Sequence, residues 1–452
     1  MQNWKYSILY LLLVVVTVPA AAQTVTGLGL PDAVAIALEK NPARKMAVAD
    51  SQMAKAQVSL AKSSYFPRVS FTETATLGND PVYAFGTRLR QARFTQADFA
   101  LDRLNYPDPI SNFSTKLGGQ WNVFDFFQKN FQIRQAKSME QASQQQLSRA
   151  DQEVVFRVID AYYAVGLARK QVEMAEQTLK TSKAMLDSST ARVEAGAAVE
   201  SDALSARVNV ASREQESIQA KSALRLALTQ LETAMGMALP NGQEPTAVLN
   251  EKLMPVEGLE EFEARALKQR PDLLAIGSQV DAQQNGVKAA KAAYGPRLDV
   301  FGSWQADNAS LAANGSTNWM TGVELRVDLF ARDREARLSM QKAMLSRAEA
   351  ARKMAEDNVR MELRKAWLEH DATRQMLEVS RASVKQAEES LRIMRDRYET
   401  GLVTITDLLR AEDADRASRT NYWQSVYRNI VSYAALELAS GALTPQNSVV
   451  TQ

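Results

Sequence analysis

Imidazoles, thiols and paired carboxylates are the groups with which a chain does chemistry, and this sequence is poor in them. His370 is the only histidine, and there is no cysteine. A multi-histidine metal cluster, a thiolate site, a cysteine nucleophile, a disulfide and a lipid-bearing N-terminal cysteine are thereby excluded. His370 falls on an apolar helical seam, with Asp371 on a different face of the same helix. It reads as a packed or groove-lining side chain with no positioned nucleophile beside it. Glu388-Glu389 and Glu412-Asp413 sit on amphipathic stretches and read as solvated faces. Gly118-Gly119 lies inside a strand pattern rather than between a strand and a helix, so it cradles no phosphate. The expectation is a non-enzyme with no cofactor and no metal, whose driving force must come from a partner.

The 452 residues carry 54 Lys plus Arg against 52 Asp plus Glu, a formal net charge of +2. That balance gives no broad basic field for nucleic acid. A hydrophobic content of 46% suits a large folded assembly rather than disorder. Residues 1–22 combine Lys5, an apolar run from Ile8 to Val18 and small residues ending at Ala22, the three parts of a secretory signal peptide. No later stretch has the roughly 18 consecutive apolar residues of a membrane helix. A mature chain that enters a membrane must therefore do so as a closed β-barrel.

The elements that position these residues are written twice. Asn41-Pro42 recurs as Arg270-Pro271 and Tyr65-Phe66-Pro67-Arg68 as Tyr294-Gly295-Pro296-Arg297, both at an offset of 229. Further on, Arg192-Val-Glu-Ala-Gly196 matches Arg397-Tyr-Glu-Thr-Gly401, and Asp202 matches Asp407, at an offset of 205. The first copy therefore carries an insertion of 24 residues. It is expected between Asp80 and Asn112, as a long surface loop bearing Arg88, Arg90, Arg93 and Arg103. The organisation predicted is a first repeat at 23–238, a Pro-bearing linker at 239–257, a second repeat at 258–440 and a polar tail at 441–452.

In the first copy Val158, Val165, Val172, Leu179, Leu186 and Val193 recur every seven residues, flanked by small residues such as Ala168 and Ser182. The second copy repeats the seam with Leu363, His370, Leu377, Val384, Leu391 and Tyr398. Both predict close helix packing. From Lys129 to Ala195 there is no proline, so one helix can approach roughly 100 Å. Trp319 to Leu329 alternates instead, apolar at odd positions, over a length that suits a membrane strand. Weaker alternation marks Val69 to Leu77, Phe113 to Val123 and Leu298 to Trp304. Residues 65–131 and 294–330 hold 19 of the 32 aromatics, which points to interfacial girdles; soluble hairpins with an aromatic core are the other reading. Four strands cannot close a barrel, so several protomers must contribute, and physics alone permits a dimer, a trimer or a larger ring.

The run Leu30-Pro-Asp-Ala-Val-Ala-Ile-Ala-Leu-Glu-Lys-Asn-Pro42, the Tyr-x-Pro-Arg strand entries at Tyr65 and Tyr294, and Arg397-Tyr-Glu-Thr-Gly-Leu-Val-Thr-Ile-Thr-Asp-Leu-Leu409 resemble the TolC-like outer-membrane efflux factors. The resemblance covers nearly the whole mature chain. It implies a mainly α fold with a membrane β-barrel: a long antiparallel coiled-coil α-barrel plus four strands per protomer, with the homotrimer forming a twelve-stranded barrel. It further implies an outer-membrane channel with a periplasmic tunnel, serving tripartite efflux or type I secretion. Its partners would be a periplasmic adaptor (membrane fusion) protein, an inner-membrane transporter and outer-membrane lipid. A non-transporting periplasmic coiled-coil scaffold or adhesin is the alternative.

By the same resemblance, Gly196, Gly401, Leu402 and Val403 belong to an adaptor-docking tip. Tyr398 and Asp202 match positions that tie helix pairs together, which implies a phenol-to-carboxylate hydrogen bond. Val403 stands where the family has an arginine partner. Asp407 matches a ring-forming carboxylate, while Arg410 occupies the second ring position and would oppose cations there. Asp202 and Asp407 are equally well placed for helix N-capping.

Overall fold

A computed structural model of the chain describes residues 27–239, 243–251, 258–311 and 315–451; the signal peptide expected at 1–22 lies outside them. The first copy runs α1 (Leu30–Lys40), α2 (Pro42–Ser63), β1 (Arg68–Gly78), α3 (Pro81–Arg90), a 3-10 turn (Gln96–Phe99), α4 (Leu101–Asn105), β2 (Ile110–Phe124), α5 (Gln128–Glu194) and α6 (Glu200–Met235). The second runs α7 (Leu259–Gln269), α8 (Pro271–Ala292), β3 (Arg297–Asn308), β4 (Ser316–Arg326), α9 (Arg332–Glu399) and α10 (Ile405–Ser440), before a short α11 (Ser448–Thr451). Pro42 and Pro271 set the first boundary in each copy. They hold Asn41 and Arg270 in extended backbone, which ends α1 and α7, and each proline then opens the next helix at no hydrogen-bond cost.

The two long helices, of 67 and 68 residues, are rods of about 100 Å. α6 folds back along α5 from its far end, and α2 runs along the rest of α5 toward the sheet. The C-terminus of α6 meets the N-terminus of α2, so two helices distant in sequence stack into one interrupted rod. α10 and α8 line α9 in the same way. Val158 and Val165 are fully buried on the seam, as are Leu363, His370 and Leu377. Nearer the far end the small flanking residues Ser182 and Ser189 are buried while Val172, Leu179 and Leu186 are half-buried.

The four strands form one antiparallel sheet in the order β1-β2-β3-β4. Its register sorts the side chains by face. Phe71, Leu117, Trp304 and Trp319 stand in one cross-strand row, and Thr72, Lys116, Gln305 and Asn318 in the row behind the pleat. The apolar face is bare to the extent that Phe71 is 69% and Trp319 76% exposed. The outer edges of β1 and β4 have no strand partner among the described residues. β4 begins three residues before the expected Trp319 and stops at Arg326, so Leu329 falls outside it. The hairpin is fixed there by Gly315, whose backbone N–H donates to Asn308 Oδ1 at 2.8 Å.

One other expectation is corrected, and two connecting segments take a packed place. The insertion is no loop but is folded into α3, the 3-10 turn and α4. The tail is docked: Leu443, Val449 and Val450 are buried beside α1, because they are apolar and the tail's polar residues face outward. The described part of the linker is also packed, with Leu28 and Glu244 joined backbone to backbone at 2.9 Å and Ala247 and Leu249 buried. With α1 and the middle of α5 these segments form a belt about halfway along the rods.

Candidate functional site

The turns α5–α6 and α9–α10 lie at the end of the rods opposite the sheet. Each helix stops in the same way. Gly196 (φ +73°) and Gly401 (φ +77°) take the left-handed conformation. Gly401 N–H donates to the Tyr398 carbonyl at 3.1 Å and Leu402 N–H to the Arg397 carbonyl at 2.9 Å; Gly196 and Ala197 repeat the pair onto Val193 and Arg192. These bonds satisfy the last carbonyls and reverse the chain. A Cβ on either glycine would meet nothing within 4 Å. Leu402 is 75% exposed, Val403 is half-buried, and Val199 is exposed on the sister turn.

The two turns differ in how the next helix starts. In the second, the Thr404 hydroxyl and backbone N–H face Asp407 Oδ2 at 2.7 and 3.2 Å, closing a capping box. These contacts, the hydroxyl first, hold the Asp407 carboxyl below the usual carboxylate range. Arg410 stands 3.8 Å away on the next turn. In the first, Val199 occupies the position of Thr404, and Asp202 sits in the first turn of α6 with no side-chain cap to complete.

Among the described residues no hydrogen bond joins Tyr398 to Asp202. The Tyr398 hydroxyl lies 3.5 Å from Ser189 Oγ, and the Arg192 guanidinium stands over its ring at 5.1 Å and donates to its carbonyl at 3.4 Å. The end of α9 thus meets the end of α5 through Ser189 and Arg192.

A stronger tie between the copies is Arg213, which is only 7% exposed. It donates to Asp413 on α10 at 2.6 Å, to Glu216 at 2.8 Å and to Asn209 at 3.1 Å, using its planar fork. Burial pushes the neighbouring Glu412 carboxyl up, against the pull of Arg395 and Arg213. Position 213 follows the buried Ala206 by one heptad, so an arginine on a small-residue seam was the available signal. Among the described residues no group of three or more His, Asp or Glu is placed to hold a metal ion. The tip offers apolar contact and paired charge, and no reacting group.

A family model described as "Outer membrane efflux protein" matches residues 33–237 and 264–442. The chain belongs to this family. Membership places it in the outer membrane, among transport channels rather than enzymes. It is 22% identical over 426 residues to the alkaline protease secretion protein AprF of Pseudomonas aeruginosa, covering 92% of this chain and 85% of that one. It is 26% identical over 401 residues to the outer membrane protein OprJ of the same organism, covering 85% and 78%. In fold it is similar to the open state of the Neisseria gonorrhoeae MtrE outer membrane channel, with a TM-score of 0.75 and 18% identity over 92% of this chain and 90% of that one.

Proposed function

We propose that this efflux protein works as a homotrimer, in which three four-stranded sheets close a twelve-stranded barrel across the outer membrane and the helices continue it as a periplasmic tunnel. The observation that carries the reading is the sheet. It has one apolar and one polar face, and two open edges that lipid would leave unpaired. Joining β1 of one copy to β4 of the next removes every edge. The helices attached to those strands support the same contact. α2, which leads into β1, exposes Met46, Met53 and Leu60 at heptad spacing, and α9, which follows β4, exposes Met354, Met361 and Leu368. Bare heptad stripes of this kind suit burial against a neighbouring subunit.

The tip turns then face the periplasm, where Gly196, Gly401, Leu402 and Val403 dock a periplasmic adaptor that links the tunnel to an inner-membrane transporter. The duct is passive, and the pump selects cargo and supplies energy. A protease secretion protein among the relatives of an efflux family accords with that division of labour. Gate control at the tip falls to Asp202, Tyr398, Asp407 and Arg410, together with Arg213.

The test is assembly and conductance. Detergent-extracted protein is expected to run as a trimer and to conduct in planar bilayers. Met53→Glu combined with Met361→Glu should leave unassembled protomers. A water-soluble, non-conducting species would instead favour the scaffold or adhesin.

A further inference from the structure

The β3–β4 connection is residues 309–315, whereas β1 and β2 are joined by 79–109, and the excess is a built object. Asp80 caps α3 by accepting from Tyr83 N–H at 2.8 Å. The Phe94 ring lies edge-on between Phe85 and Phe99, at 4.8 and 5.0 Å. Asp98 is buried and accepts from Thr95 N–H and Oγ1 at 2.8 Å, with Arg88 paired to it and Arg103 3.8 Å away. A segment so cross-linked holds its shape.

Its attachment to the sheet is one-sided. The Tyr83 hydroxyl bonds Thr76 Oγ1 at 2.6 Å. Gln91, 2% exposed, donates to Asn112 Oδ1 and to the Ser111 carbonyl, both at 2.9 Å. Asn112 in turn donates to Asp307 Oδ1 at 2.8 Å, and Asp307 is fully buried. Thr76, Asn112 and Asp307 all belong to the polar face, on β1, β2 and β3 respectively, whereas Phe71, Leu117 and Trp304 point the other way. The insert therefore bonds β1 and β2 and lies close to β4 at the end of the sheet remote from the helices, on the side opposite the apolar rows.

If the polar face lines the barrel, as the proposed trimer requires, the insert hangs over the lumen at its exit. Its charge is balanced: residues 79–109 hold four arginines and four aspartates, and Arg90, Arg93, Asp102 and Asp108 are exposed with no ion pair among the described residues. We propose that the insert is the exit constriction of the channel, a folded unit that narrows the lumen at the mouth remote from the helices.

The experiment uses purified full-length protein in planar bilayers under a KCl gradient. Replacing residues 81–107 by a short Asn-Gly turn should raise single-channel conductance several-fold. With Arg93→Cys in this cysteine-free chain, a bulky thiol reagent added on the extracellular side should lower the current. A conducting wild type whose conductance is unchanged by the replacement and whose Arg93→Cys variant is not blocked would overturn the constriction and leave the channel reading standing. A silent wild type would overturn both.

Discussion

Gly236 closes on Asn41 so tightly that a Cβ on the glycine would stand 2.7 Å from the Asn41 Cα. This is the joint of the interrupted rod, and Asn41 Nδ2 secures it by donating to the Ala234 carbonyl at 2.7 Å. The second copy builds the joint from Gly441 and Arg270, at 2.8 Å, with the Arg270 guanidinium donating to the Ala439 carbonyl at 3.0 Å. All four of Gly196, Gly236, Gly401 and Gly441 have positive φ, but only the joint pair lacks room. Alanine at Gly196 or Gly401 should cost about 1–2 kcal/mol of backbone strain. At Gly236 or Gly441 steric overlap should add roughly 1–3 kcal/mol. Thermal melts of detergent-solubilised protein followed by helix signal check the order, and equal losses at all four positions would contradict it.

Leu402 is 75% exposed on the tip among the described residues. Leu402→Asp should therefore abolish efflux in cells while melting temperature, trimer yield and membrane delivery stay at wild-type values. Efflux at the normal rate would remove Leu402 from the docking surface. A large drop in stability would show that it is a packing residue instead.

The unequal helix starts allow a swap between copies. Thr404→Val removes the cap of α10 and should cost about 1 kcal/mol; Val199→Thr gives Asp202 the partner it lacks and should stabilise α6 by up to the same amount. Asp407→Asn separates capping from ion filtering, since an unchanged bilayer selectivity would leave that carboxylate only its structural role.

His370 is 1% exposed, with Nδ1 3.0 Å from Ser432 Oγ and Nε2 buried without a partner. Thr373 Oγ1 completes the cluster, 2.9 Å from the Ser432 hydroxyl. The corresponding residues of the first copy are Val165, Ala168 and Ala227, all buried, so the fold tolerates an apolar version. Burial pushes the His370 imidazole down; Arg374 adds to this, while Asp371 and a hydrogen bond to the Asn429 backbone of α10 oppose it. A histidine whose folded pKa lies below its unfolded value favours the neutral folded form. Its contribution is complete above about pH 6.5 and is lost as pH falls from there toward the folded pKa. Stability of the wild type should drop over that window, and His370→Val should flatten the drop. Parallel pH–stability curves would refute the role.

The duplicated plan, the long rods and the strand pairs were legible because each is a signal along one chain: a repeat offset, a heptad, an alternation. Cross-helix partners were not. Whether Tyr398 meets Asp202 or Ser189 depends on which helix end lies beside it in space, and periodicity along one chain is silent about that. The insert was misread for a different reason. Its Gly, Pro, Asn and Asp content looks like a loop, although Thr95 and Asp98 form a capping box and Phe85, Phe94 and Phe99 an aromatic stack. Spacing those residues into a folded unit needs the polar face of the sheet beneath them.

The belt at mid-rod lies where the joints are. The chain enters α2 and α8 and leaves α6 and α10 at this level, so each short helix has a free end there. α1, the linker strand and the docked tail bind across those ends, while α5 and α9 run through unbroken. In mechanical terms each joint is splinted: bending load passes to an intact neighbouring rod, and a hinge is kept from opening halfway along a structure many times longer than it is thick.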